Sequence, residues 1–263
     1  MRLAVLIPAF NPGSALTRTL DSLATDASPF DIYIVDDGSW PSVKAPESVG
    51  AHRVMLLRHA ANLGIARALN TGLSAVLAGP YDYVARIDAG DVNDPHRFAR
   101  QTMCLDDNPD VALVGAWTRH VDEGGRLLFT TRYPDGWEAI LRRFHYRAAF
   151  SHPASMVRLD VLRVAGVYDE RFALGEDYEL FWRVARRFRC ENIQEVLVTR
   201  VETRQSLTYA HRTAAARTRM RLQWQQFAWG SLDCWLGLAR SLALFAVPAH
   251  ALVTLKKAAG IVG

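Results

Sequence analysis

Apolar positions in this chain fall first into short β-branched runs and then into wider repeats, and their alternation predicts the elements. Leu3–Ile7 reads as a strand buried on both faces and closed by Pro8, with Ala9, Phe10, Asn11, Pro12 and Gly13 as loop. Ser14 is placed to cap a helix through Leu23. Ile32–Val35 is a second buried strand, Val54–Leu57 a third and Tyr83–Ile87 a fourth. After the turn Asn62, Leu63, Gly64, the residues Ile65, Ala68, Leu69, Leu73, Val76 and Leu77 recur at helical spacing. Asp94 before Pro95 predicts an N-cap and a first-turn proline for a helix to Asp107. Strands alternating with helices over roughly the first hundred residues imply a parallel sheet with right-handed crossovers.

The pattern then changes. Val111–Val121 and Leu127–Tyr133 flank the turn residues Asp122–Gly125 as a hairpin, and Asp135 and Glu138 have capping-box spacing for a helix through Arg143. Phe150–Arg158 holds Ser151, His152 and Pro153 and then a short strand, and Gly166–Leu174 reads as loop. Gly175, Glu176 and Asp177 open an amphipathic helix with Leu180, Phe181, Val184 and Phe188 on one face, and Val196–Val201 is a last strand. A basic, aromatic-bearing helix follows from Tyr209 to Trp229. Leu232–Leu255 is mostly apolar but carries Asp233, Arg240, Pro248 and His250. Its uninterrupted part is shorter than the ~20 residues of a spanning helix, and a central Arg costs roughly 2.5 to 3.5 kcal/mol on insertion scales. Helices lying on a membrane surface fit better; helices packed on the domain or on another subunit are the alternative.

With 263 residues, half of them hydrophobic and 22% charged, the chain has the makings of one large globular domain or a domain with an appendage. The formal net charge of +4 is concentrated late, in Arg212, Arg217, Arg219 and Arg221 and in Lys256 and Lys257. A patch placed like that favours an anionic surface, nucleic acid or membrane. Cys104, Cys190 and Cys234 are scattered and lack metal-ligand spacing, which argues for a reducing compartment. Pro8, Asn11 and Pro12 cut the first apolar run too early for a signal peptide.

Candidate chemistry lies where strands stop. Ile32–Val35 runs into Asp36 and Asp37, followed by the turn formers Gly38 and Ser39, which puts two acids at the carboxyl end of an inner strand, where α/β sheets bind ligands. An Asx-turn or a cap is the competing reading. Two adjacent acids cannot both cap the next segment, and that tips the balance toward a ligand. Tyr83–Ile87 likewise runs into Asp88 and Asp91. Carboxylates gathered at one edge repel each other unless a cation or donors sit between them.

Taken in order, Ile7-Pro8-Ala9-Phe10-Asn11, Val35-Asp36-Asp37-Gly38-Ser39, Asn62-Leu63-Gly64 through Leu69-Asn70, Arg86-Ile87-Asp88-Ala89-Gly90-Asp91, Ser151-His152-Pro153 and Gly175-Glu176-Asp177-Tyr178-Glu179-Leu180 resemble glycosyltransferase family 2 over about the first 205 residues. The resemblance implies an α/β GT-A fold, a mixed and mainly parallel sheet flanked by helices. It divides the chain into a transferase domain at 1–205, with a nucleotide-binding half at 1–108 and an acceptor-binding half at 109–205, and a helical tail at 206–263. It also implies a nucleotide-diphosphate sugar donor of UDP or dTDP type, a divalent metal (Mn2+ or Mg2+), inversion at the anomeric carbon, and a glycan or lipid-linked acceptor rather than nucleic acid. A cytoplasmic protein, peripheral at the inner face of the membrane, would suit the tail.

Carried over residue by residue, the resemblance assigns Pro8, Ala9, Phe10 and Asn11 to the base, and Asp37 with Asp36 to the base and ribose, since a carboxylate accepts from an imide N–H and from sugar hydroxyls. Asn62 and Gly64 would adjoin the nucleotide, and Arg86 would balance the acids. Asp88 and Asp91 resemble the metal-binding acids, but the position two after Asp88, usually acidic, is Gly90. Either Asp88 serves the ribose and Asp91 the metal, or both bind it. Glu176 and Asp177 match the acid pair that supplies the base, Asp177 being the choice, kept ionised by its helix N-terminus. His152 would shape the acceptor side, and His211 would approach the diphosphate or stay at the surface. The rival readings are an inactive binding or scaffold protein and a nucleotidyltransferase, the latter disfavoured because no Gly-rich, basic phosphate loop follows the first strand.

Overall fold

A computed structural model describes residues 2–172, 174–202 and 212–246. The strands are β1 (Leu3–Ala9), β2 (Phe30–Asp36), β3 (Ser48–Val49), β4 (His52–Arg58), β5 (Tyr83–Arg86), β6 (Val92–Asn93), β7 (Val111–Val121), β8 (Leu127–Thr131), β9 (Met156–Arg158) and β10 (Arg189–Val201). The helices are α1 (Ala15–Leu23), α2 (Ile65–Ala78), α3 (Arg97–Asp107), α4 (Trp137–Phe144), α5 (Leu159–Ala165), α6 (Glu176–Ala185), α7 (Arg212–Gln225) and α8 (Leu232–Ala246). A 3-10 turn spans His152–Ala154.

All strands join one sheet in the order β3-β4-β2-β1-β5-β9-β7-β10-β6, with β8 paired to β7. β4, β2, β1 and β5 are mutually parallel, and so are β7 and β10. β9 lies antiparallel between β5 and β7, so Ser151–His152, at its start, reaches the edge where its neighbours end. Alternation along the strands separates two apolar layers. Leu3, Val5, Ile7 and Ala9 of β1 pack with α1 and α3, and Ala4 and Leu6 with α2, α4, α5 and α6. At Gly72 of α2 an added Cβ would meet the end of the Leu6 side chain, which would have to move to keep this helix so close to the sheet.

Several local expectations yield to tertiary bonding. Ser14 stands at the α1 N-cap without a side-chain cap bond. Asp94 does not cap α3, which starts at Arg97; its carboxylate accepts from the His96 N–H in a turn ahead of the helix. No capping box opens α4, because Asp135 bonds the adjacent Gly136 N–H instead. Arg97 is fully buried and donates to the carbonyls of Arg86 (2.8 Å) and Ser155 (3.2 Å), tying α3 to β5 and the start of β9.

Helices α7 and α8 rest on the domain. Arg221 lies over the Phe172 ring at 5.4 Å, Tyr146 donates to Asp233 at 2.6 Å, and Arg240 donates to the Tyr146 carbonyl at 2.7 Å. The expected 205/206 boundary, His211, and Lys256 and Lys257 lie outside the described residues. Among the described residues, no helix is long and apolar enough to cross a membrane.

Candidate active site

Asp36 ends β2 fully buried, its oxygens accepting from the Ser39 N–H (2.9 Å) and the Val43 N–H (3.1 Å). Burial works to raise its pKa, but these bonds and the Arg58 charge outweigh it and hold the carboxyl below its ordinary value. Asp37 accepts from the Leu63 N–H and the Gly64 N–H, both at 2.9 Å, and meets His59 Nδ1 at 2.7 Å. Both acids therefore hold backbone. The expectation that adjacent acids cannot both cap fails because Asp37 reaches the start of α2, far along the chain, while Asp36 serves its own loop. Asp36, expected beside the nucleotide, is sealed from any ligand. Asp37 has spent three of the roughly four acceptor positions of a carboxylate.

The loop after β5 carries Asp88 and Asp91. Gly90, at a φ of +112°, donates its N–H to Thr19 Oγ1 at 2.8 Å, and the Thr19 hydroxyl donates to the Asp91 carbonyl at 2.8 Å. Thr19 of α1 thus pins the acid loop from beneath. Arg86 donates to Asp88 through Nη2, while its Nε and Nη1, both buried, have no hydrogen-bond partner. From β10, Arg200 sets Nε 3.5 Å from Asp91 and Nη2 4.0 Å from Asp88. Burial raises the Asp91 pKa to about 7 against the pull of Arg200.

The second acid pair lies within electrostatic reach of Arg86. Burial alone would lower the Arg86 pKa, but Asp88, with Tyr168, Glu176 and Asp177 behind it, outweighs burial and raises it. Glu176 and Asp177 open α6 after Gly175, whose φ of +86° suits glycine. Burial, then the Asp177 charge, pushes Glu176 up to about 8. Asp177 is also raised, chiefly by burial. The expected effect of the helix N-terminus is present as backbone bonds that lower its pKa, but desolvation exceeds them. His152 Nδ1 lies 3.8 Å from Glu176 and 3.9 Å from Asp177, and its Nε2 lies 2.7 Å from the Tyr168 hydroxyl. Tyr168 is held by Asn70 of α2, which donates to its carbonyl at 2.9 Å and accepts its N–H at 3.0 Å.

Pro8 and Ala9 are buried within β1. Phe10 is half exposed, and Asn11, at a φ of +46°, accepts the Trp40 N–H at 2.9 Å. Asn62 turns its amide oxygen to the Gly64 N–H at 3.1 Å. Sequence reasoning passed over Thr19, Tyr168 and Arg200 and gave Asn70 no role. Arg200 left a trace, a lone charge inside the apolar run Val196–Val201.

The donor set suits a divalent ion. Asp88, Asp91, Glu176 and Asp177 gather around Arg86 and Arg200, and the raised pKa values of Asp91, Glu176 and Asp177 mark carboxyl groups whose charged forms a divalent ion would favour. Asp88 is the accessible hard oxygen ligand, its side chain 30% exposed, and Asp91 Oδ2 is buried without a hydrogen-bond donor. His152, Glu176 and Asp177 also bring ligand atoms within 4.8 Å of one another, the one such trio among the described residues.

Comparison with known proteins places these observations. The profile described as glycosyl transferase family 2 matches residues 4–162, more than half of the chain. An uncharacterized glycosyltransferase of Methanocaldococcus jannaschii is 24% identical over 74% of this chain and 69% of its own. The amylovoran biosynthesis glycosyltransferase AmsE of Erwinia amylovora is 32% identical over 47% of this chain, which spans 44% of that enzyme's length. Among solved structures, TarS 1–349 of S. aureus in complex with UDP-GlcNAc superposes with a TM-score of 0.66 at 15% identity, covering 92% of this chain and 72% of that one. The mannosyltransferase PcManGT of Pyrobaculum calidifontis, in complex with GDP-Man and Mn2+, gives 0.62 at 15% identity, covering 98% and 79%. The fold is GT-A.

Proposed function

This chain belongs to glycosyltransferase family 2, and from that premise we propose that it is an inverting, metal-dependent enzyme moving one sugar from a nucleotide-diphosphate donor to an acceptor hydroxyl. The observation that carries the reading is Arg86, bonded to Asp88 and within electrostatic reach of Glu176 and Asp177. That arrangement sets the donor's anionic end and a candidate base around one space.

Phe10, Asn11 and Gly64 line the nucleoside, and Asp37 offers its one unspent acceptor position to an imide N–H, which suits a UDP or dTDP donor. Pro8, Ala9, Asp36 and Asn62 shape that loop from within. Asp88, backed by Asp91, would hold a Mn2+ or Mg2+ ion, which when bound neutralises charge on the departing diphosphate. Arg86 orients the diphosphate from the other side. Asp177 takes the proton of the acceptor hydroxyl as its oxygen bonds to the anomeric carbon and the bond from that carbon to the diphosphate oxygen breaks. Burial makes Asp177 a stronger base than an exposed carboxylate. His152 borders the acceptor side.

Relatives include enzymes named for amylovoran and O-antigen biosynthesis. They support a role in cell-surface polysaccharide synthesis, and we place a glycan or lipid-linked acceptor at the cytoplasmic face of the membrane as part of the same proposal. The test is thermal-shift screening against UDP-, dTDP- and GDP-sugars with and without Mn2+, followed by donor hydrolysis. A ligand of the folded state raises apparent stability. The expected result is a Mn2+-dependent shift with one donor, with release of nucleotide diphosphate by the wild type and not by Asp177→Asn. Equal release by both proteins would remove Asp177 from the reaction.

A further inference from the structure

Over positions 232–243 of helix α8 the large apolar side chains are outward or half-buried. Among these residues Cys234, Gly237 and Ser241, small residues three and four apart, are the buried ones. Gly237 sits where an added Cβ would collide with the His145 carbonyl, and Cys234 Sγ lies 3.4 Å from His145 Nδ1. The opposite face carries Leu232, Trp235, Leu236, Ala239 and Leu242, all exposed, with Leu232 at 71%. A helix seated on a globular domain ordinarily shows the reverse.

The turn between α7 and α8 widens this stripe. Phe227 meets Trp235 at 4.8 Å and Trp229 at 5.3 Å between ring centroids, and Trp224 stands beside them. Trp229 is 69% exposed. On the same helix Arg240, five residues after Trp235, is exposed and lies within electrostatic reach of Arg147, Arg219 and Arg143. Burial first, then mutual repulsion, lowers the Arg143 and Arg240 pKa values, Arg143 to about 10. Asp233, the acid among them, is engaged by the Tyr146 hydroxyl.

Two features select the occupant of this face. Tryptophan over a leucine stripe, flanked by arginine, is the composition that settles at the boundary of acyl chains and headgroups. A second copy packed isologously would instead bring the same arginine groups toward each other, like charge against like. Residues 247–263 add Lys256 and Lys257 and no acid, so they offer this cluster no counter-charge.

We propose that the outward face of α8, led by Trp229 and Trp235, lies in the headgroup region of an anionic phospholipid bilayer, with Arg147 and Arg240 against lipid phosphates. The proposal gives the membrane placement offered above its contact surface, and it is independent of the donor chemistry.

The test is co-sedimentation of the full chain with vesicles of phosphatidylcholine alone and of phosphatidylcholine mixed with phosphatidylglycerol, with tryptophan emission recorded. The mixed vesicles are expected to bind the protein, shift its emission to the blue and release it as salt rises. Trp229→Ser with Leu232→Ser, both at exposed positions, is expected to weaken partitioning about tenfold or more. Arg147→Gln with Arg240→Gln is expected to remove the preference for the mixed vesicles. Thermal unfolding close to that of the wild type shows that each variant is folded. Wild type that stays in the supernatant, variants that bind like wild type, or a dimer in solution that dissociates on Trp229→Ser without any vesicle binding would each overturn the proposal. A missing donor response with vesicle binding intact would count against the transferase reading and leave this one standing.

Discussion

The Tyr168 hydroxyl stands 2.7 Å from Nε2 of His152 and decides what that imidazole presents to the acid pair. Burial, with Arg86 and Arg200 nearby, holds the His152 pKa well below its ordinary value, so the ring is neutral and carries one proton. Burial also raises the Tyr168 pKa, which keeps the phenol protonated. With the phenol as donor to Nε2, the ring proton sits on Nδ1, the atom facing Glu176 and Asp177. Tyr168→Phe frees the other tautomer. We expect kcat to fall about tenfold, with donor KM little changed and the acidic limb of the pH–rate profile displaced. Steady-state kinetics across pH check this; an unchanged profile would reduce Tyr168 to packing.

Glu176 makes stability depend on pH. Its folded pKa of about 8 lies above the ordinary 4.5. Between those values the folded state binds more protons than the unfolded state, so stability is fully present below the lower value and declines as pH rises through the higher one. Glu176→Gln removes that contribution and should be more stable than the wild type at alkaline pH by on the order of 1 to 3 kcal/mol. Denaturant titrations at acid and alkaline pH measure the difference between the two proteins.

Asp37 joins the end of β2 to the start of α2 through the N–H groups of Leu63 and Gly64. Asp37→Ala leaves both donors and His59 without their acceptor and should cost about 2 to 3 kcal/mol. Asp37→Asn keeps one acceptor oxygen and should cost roughly half as much. Urea unfolding of the two variants separates this internal role from contact with a base, which donor titration reports.

Arg200 neutralises Asp91 and Asp88 from β10. Arg200→Gln should lower the melting temperature in the presence of a chelator, and Mn2+ should recover more of it than in the wild type. Scanning fluorimetry with and without the ion reads both. Equal Mn2+ responses would separate the arginine from the metal site.

The sequence was most legible where one residue's environment lies close by in the chain. The runs at Leu3, Ile32 and Tyr83 became β1, β2 and β5 because burial on both faces leaves a continuous apolar signature, and the run at Val54 became β4, whose apolar residues are half-buried or exposed. The face of α6 was visible for the same reason, as a period. β3 and β6, with two residues each, are too short to show one. The seven-residue α5 fell between a strand and a loop. Polar contacts escaped the sequence when the partners came from far along the chain: Asp37 with α2, Thr19 under the acid loop, Arg97 beside the start of β9. Asp36, Asp37, Asp88 and Asp91 stood out because they end or follow strands, and Glu176 and Asp177 through the family resemblance. The residues that orient them, Tyr168 and Asn70, meet only in three dimensions.

β9 runs against the strands on either side of it. Under the proposed function, extra residues inserted ahead of it would build up the wall opposite the sugar donor, while every connection around the nucleotide kept its length. On that reading, recognition of what receives the sugar can diversify in that one segment, and handling of what supplies it is left undisturbed.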